Sequence, residues 1–157
     1  MSNIHRLTVL GLTLPCLLLT SGCASDMSSV SLEAQSAIDT RFPGATVNEV
    51  EGKLGNLYEI SLVKDEQQFE VKLHSDGTII EIETLIDVAD LPEPVAATVA
   101  EKTEGHEVIK VEKVETLAQN TLGGVKPLDE SEVFYEVKWR AGGFKRELKV
   151  NPDGGLR

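Results

Sequence analysis

Residues Tyr58 to Ile80 read YEISLVKDEQQFEVKLHSDGTII, and residues Tyr135 to Arg157 read YEVKWRAGGFKRELKVNPDGGLR. The two stretches align without a gap at a shift of 77 positions. Tyr58/Tyr135, Glu59/Glu136, Glu70/Glu147, Lys72/Lys149, Asp76/Asp153 and Gly77/Gly154 are identical. Ile60/Val137, Leu62/Trp139, Val71/Leu148 and Leu73/Val150 match as apolar pairs. Self-similarity at a fixed period marks a repeated supersecondary unit. Tyr58, Ile60 and Leu62 alternate with Glu59 and Ser61, and Phe69, Val71 and Leu73 alternate with Glu70 and Lys72. Tyr135, Val137 and Trp139 alternate with Glu136, Lys138 and Arg140. A period of two is that of a half-buried strand. Gly142-Gly143 reads as a tight hairpin turn, since both residues accept positive φ. Asp76-Gly77 and Asp153-Gly154 mark the turns that follow.

Upstream, Gly44, Val47, Val50 and Glu51 match Gly105, Val108, Val111 and Glu112 at a shift of 61. The second copy therefore carries an insertion, placed at about residues 116–131 (Thr116 to Ser131) and read as an added flexible loop. The first strand of each copy steps by three, at Val47/Val50 and at Val108/Val111/Val114. A bulge produces that step, and so does a misplaced boundary. Each copy opens with a helix. Val30, Ala34, Ala37, Ile38 and Phe42 share one helical face, with Ser31 as cap and Pro43 as stop. Leu91, Val95 and Val99 form the second face, with Asp90 as cap, Pro92 in the first turn and Gly105 as stop.

The pattern is helix–β–β–β–β twice, with the last strand of the second copy cut short at Arg157. One sheet face is polar and the other apolar, so helices must cover the apolar face. The predicted class is α+β: two helix–β4 repeats, 31–88 and 89–157, forming one antiparallel sheet of about seven or eight strands with two helices packed on one face. The stretches FPGATVNEVE (42–51) and YEISLVKDEQQFEVKLHSDGTIIEIE (58–83) resemble the PepSY-like family, also described as β-lactamase-inhibitor-like. LPEPVAATVAEKTEGHEVIKVEKVE (91–115) and FYEVKWRAGGFKRELKVNPDGG (134–155) resemble it again. The resemblance spans about residues 31–157. It implies a binding or inhibitory module of the cell envelope, and it brings no catalytic residues. The second copy lacks the Phe-Pro and has Arg146 where the first has Phe69, which sets a basic side chain on an otherwise apolar face.

The N-terminus carries its own signal. Arg6 precedes an almost wholly apolar run, Leu7 to Thr20, and small residues follow. That order is a secretory signal. The run is shorter than the roughly 20 residues a bilayer span needs, and Pro15 interrupts it. Ser21-Gly22-Cys23 resembles the bacterial lipobox, although Thr20 replaces the commoner Leu. The resemblance implies that residues 1–22 are cleaved, that Cys23 is lipidated, and that 23–30 is a short tether. No Asp follows Cys23, which implies the periplasmic face of the outer membrane as the location. Acyl chains contribute about 0.8 kcal/mol per buried CH₂, so several anchor stably. Cys16 leaves with the signal, so no thiol remains for a disulfide, a metal or a nucleophile.

The formal charge is −11, and loss of Arg6 makes the mature chain −12. Such a protein repels phosphate backbones, which argues against nucleic acid as a partner, and it steers cationic ones inward. Solubility is the plainer reading of the charge. His74 and His106 have no metal-ligand spacing. The two Asp-Gly pairs lack the further oxygen ligands of a calcium loop, and no nucleophile elbow or phosphate-cradling loop is present. The expectation is a chain that is not an enzyme, with no catalytic residues, no metal and no cofactor. Trp139 beside Tyr135 and Arg140 has the composition of a hot spot, yet its register with Leu62 places it in the core. Two readings of function remain. One is a lipid-anchored module that binds or inhibits an envelope protein. The other is a sensor or carrier of a small cationic ligand or metal.

Overall fold

A computed structural model describes residues 27–157. A 3₁₀ turn at Met27–Ser29 leads into α1 (Leu32–Arg41). Four strands follow: β1 (Thr46–Lys53), β2 (Leu57–Lys64), β3 (Gln67–His74) and β4 (Ile79–Leu85). A second 3₁₀ turn at Val88–Asp90 precedes α2 (Glu93–Thr103). The chain closes with β5 (Val108–Thr121), β6 (Gly124–Ala141) and β7 (Phe144–Val150). The strands form one seven-stranded sheet in chain order, and every neighbouring pair is antiparallel.

Register explains why both helices lie on one face, since residues directly opposite share a face. Ile60 pairs with Val71, Val71 with Ile82, and Ile82 with Glu115. Val111, two pleats from Glu115, pairs with Val137. α1 packs Ala34 and Ile38 onto Ile60, Leu62, Val71 and Leu73. α2 packs Val95 and Val99 onto Val111, Val137 and Val150. Arg41 at the end of α1 reaches Glu115 at 3.7 Å. Each helix therefore covers its own half of a shared sheet. Trp139 is buried, as its register predicts, and Arg146 stands opposite it, exposed.

Several local expectations are resolved. The steps Val47/Val50 and Val108/Val111 are bulges, with register shifts between Val47 and Glu49 and between Val108 and Lys110, whereas Val111 to Val114 runs in unbroken register and turns Val114 to the other face. The Ser31 hydroxyl caps α1 by accepting from the Ala34 N–H. The cap of α2 is Pro92, which has no side-chain hydrogen bond, and Pro94 occupies the first turn. Asp90 is instead the end of a 3₁₀ turn that Asp87 caps through the Ala89 N–H at 2.9 Å. The insertion at 116–131 is not a loose loop. β5 and β6 continue through it as a paired ribbon, with Ala118 to Thr121 opposite Pro127 to Gly124 beyond a register shift between Thr116 and Ala118. The Thr121 hydroxyl closes its tip by donating to the Gly124 carbonyl at 2.7 Å. Beyond β7 the chain makes only a single bridge, between Val150 and Leu156.

Candidate functional site

The face opposite the helices carries a ladder of charge built by the same register. Glu70 (β3), Glu83 (β4) and Glu112 (β5) offer carboxylate oxygens within 4.8 Å of one another. Lys72 bonds Glu83 and lies 3.1 Å from Glu81. Lys110 meets Glu112 at 2.5 Å and Glu70 at 3.8 Å. Lys138 meets Glu112 at 3.3 Å and Glu136 at 2.7 Å, and Lys149 meets Glu136 at 3.0 Å. Glu83, Glu112 and Glu136 are buried, although they stand on the helix-free face. Long lysine stems lying across a sheet shield short acids from water while their own ammonium groups stay wet.

The electrostatics differ along the ladder. Burial, a hydrogen bond with Glu59 and the negative charge of Glu83 push the Glu70 carboxyl up to about 7. Burial also raises Glu83, and Lys72 only partly offsets it. At Glu136 burial acts upward too, but hydrogen bonds from Lys138 and Lys149 outweigh it and hold the carboxyl below its ordinary value. Burial works to lower Lys72 and Lys138, yet their glutamate partners keep both above the usual lysine value. Glu70 is thus shifted toward its neutral form, whereas Glu136 is shifted toward its anion.

The residues singled out from sequence fall in separate places. Cys23 and the signal segment 1–22 lie outside the described residues. His74 ends β3 beside Asp76 at 3.1 Å, and His106 follows α2 with its N–H donating to the Thr103 carbonyl. The two Asp-Gly pairs are turns. Asp76 accepts from the Thr78 N–H and Asp153 from the Gly155 N–H, each at 2.9 Å. The cluster of Glu70, Glu83 and Glu112 escapes sequence reading because its members are brought together only by strand register. The alternation of acids and lysines in β3 to β6 is the one signal that carries it.

No protein-family model matches the sequence, and no curated protein matches it. Solved structures share its fold. A BLIP-like protein from Bacteroides fragilis aligns with a TM-score of 0.62 at 22% identity, over 84% of this chain and 89% of that one. A Bacteroides eggerthii protein provisionally described as periplasmic gives a TM-score of 0.66 at 14% identity, over 81% of this chain and 85% of that one. A DUF2874 family protein from Bacteroides ovatus gives 0.65 at 16% identity, over 81% and 84%. The fold is therefore BLIP-like: two helices on one side of a single antiparallel sheet. No helix among the described residues is long and apolar enough to cross a membrane.

Proposed function

We propose that this chain is a cell-envelope lipoprotein, anchored through Cys23 and built from two PepSY-like repeats, that acts as a non-catalytic binding or inhibitory module for a protein partner. The observation that carries the proposal is the helix-free sheet face. Seven strands present a fixed, charged surface there, supported from behind by two helices. Rigid sheets of this kind present side chains without a large ordering cost on binding. The likeness to a BLIP-like protein supports the same reading at the level of fold. The anchor rests on Ser21-Gly22-Cys23, and the location on the periplasmic side of the outer membrane rests on the residues after it.

The test is affinity capture from solubilised envelope on the immobilised mature chain, with mass spectrometry of the eluate. The reading predicts one saturable protein partner above a control lipoprotein, and an eluate identical to the control contradicts it. Labelled palmitate entering the wild-type chain, and not a Cys23→Ser chain, tests the anchor separately.

A second reading, a small cationic ligand or metal, draws on the convergence of Glu70, Glu83 and Glu112. Lys72, Lys110 and Lys138 already neutralise these acids. A thermal-shift series with divalent ions and polyamines that stays flat removes this reading.

A further inference from the structure

The charge is unevenly placed. Residues 138–149, the hairpin of β6 and β7, carry Lys138, Arg140, Lys145, Arg146 and Lys149 against one acid, Glu147, in a chain of formal charge −11. Lys138 and Lys149 are consumed by Glu112 and Glu136. Arg140, Lys145 and Arg146 are exposed and make no ion pair among the described residues. Arg140 and Lys145 are direct cross-strand partners. Like charges in that position repel one another, and an acid brought from outside relieves the repulsion.

The same hairpin has an open edge and apolar footholds. β7 is the last strand of the sheet. The C-terminal segment covers only its end, where the Arg157 N–H donates to the Lys149 carbonyl and Val150 bridges Leu156. The Lys149 carbonyl points outward, so by the alternation of an antiparallel ladder the backbone groups of Lys145 and Glu147 point outward too. Phe144 at the tip is 74% exposed. Arg146 lines two open clefts, one with Lys102, Glu104, His106 and Trp139, the other with Lys138, Lys145 and Glu147.

We infer that the outer edge of β7 is a docking strand for an acidic, extended segment of a protein partner, which adds to the sheet as an eighth strand. Alternate side chains of an added strand face opposite ways. Its acids meet Lys145 and Arg140 on the polar face, while its apolar residues lie along Phe144 and Leu148 with Arg146 between them. Glu147 on the edge and Glu104 beside the cleft oppose a fully acidic segment and favour an alternating one. A membrane surface fits less well. Ser31 at the start of α1 donates to the Ser75 carbonyl in the β3–β4 turn, so the tether leaves at that end of the sheet. The Gly142-Gly143 turn lies at the other end. This inference deepens the binding-module reading by naming its surface and the chemistry of its partner.

The test is fluorescence anisotropy of a labelled, capped (Glu-Val)₄ peptide titrated with the full mature chain at low salt. Saturable binding is expected, falling at least about tenfold in an Arg140→Gln/Lys145→Gln/Arg146→Gln chain or in about 0.5 M salt. A Lys113→Gln/Lys126→Gln chain, altered at cations outside the hairpin, should bind like wild type. N-methylation of alternate peptide nitrogens should abolish binding. Absence of saturable binding, equal binding by the triple variant, or tighter binding of (Lys-Val)₄ overturns the inference. Thermal melts confirm that the variants fold, and Arg146→Gln alone serves if the triple variant does not. A triple variant that still captures the same envelope protein also overturns it and leaves the binding-module reading standing.

Discussion

The two halves of the sheet are braced alike but surfaced differently. In both, a helix begins directly over an Asp-Gly turn. A Cβ added at Gly77 would lie 2.8 Å from the Glu33 carbonyl oxygen, and one added at Gly154 would lie 2.8 Å from that of Pro94. Both glycines have positive φ, +88° and +90°. Ser31 in the first half donates to the Ser75 carbonyl, and Thr98 in the second donates to the Gly154 carbonyl. The surfaces diverge. Residues 31–88 hold twelve acids and four bases, and residues 89–157 hold thirteen and ten. Backbone contact at the turns constrains residue type tightly, while solvent-facing positions are free to take on recognition chemistry.

The largest effects should come from the two cores, and they test whether the halves are one folding unit. Ile60→Ala in the first cluster should cost about 3–4 kcal/mol and Val137→Ala in the second about 2 kcal/mol. Because β4 and β5 are paired along Glu81 to Leu85, both variants should melt in a single transition. Two separable transitions in denaturant would show that the halves are independent.

The paired glycines sharpen the likeness. Gly77→Ala and Gly154→Ala should each cost about 2–3 kcal/mol, since both force a side chain against a helix carbonyl at positive φ. Equilibrium unfolding that finds one of them neutral breaks the equivalence of the turns.

The charge ladder supplies a contrast of opposite sign. Glu70 sits near 7 in the fold against an ordinary 4.5. Its favourable contribution is therefore complete below about pH 4.5 and lost as pH rises through about 7. Glu70→Gln should be more stable than wild type by on the order of 1–2 kcal/mol at about pH 8, with the gap closing toward about pH 4. Glu136 is held below its ordinary value, so its contribution is present above that value and lost in acid. Glu136→Gln should destabilise at neutral pH and converge on wild type as the pH falls. Denaturant melts across pH check both, and parallel profiles for the two variants would contradict the assignment.

The smallest difference lies at the helix starts. Ser31→Ala should cost about 1 kcal/mol through loss of its cap. Pro92 offers no side-chain cap to lose.

Much of this architecture is legible in the sequence because the apolar positions alternate cleanly. Tyr58 to Leu62, Phe69 to Leu73 and Tyr135 to Trp139 announce their strands, and Gly142-Gly143 announces its turn. The ribbon at 116–131 is not legible in the same way. Its residues are mostly exposed on both faces, so no burial pattern marks it, and Pro127 and Gly123-Gly124 imitate a loop. Pro127 pairs with Ala118 on one side, but β7 pairs with β6 only along Tyr135 to Ala141, so this stretch of β6 is an edge, where proline is tolerated. At the start of α2 the sequence offers Asp90 as cap and Pro92 in the first turn, and an intervening 3₁₀ turn capped by Asp87 moves the cap to Pro92. Glu70, Glu83 and Glu112 come from three strands, and their meeting depends on register and on bulges that no local pattern specifies.

The most direct test is amide hydrogen exchange of the full chain, alone and with the (Glu-Val)₄ peptide bound. Slowed exchange is expected in the second half, along Lys145 to Leu148, with the turns at Gly77 and Gly154 unchanged. Protection confined to β1 and β2, with β7 exchanging as in the free chain, would contradict it.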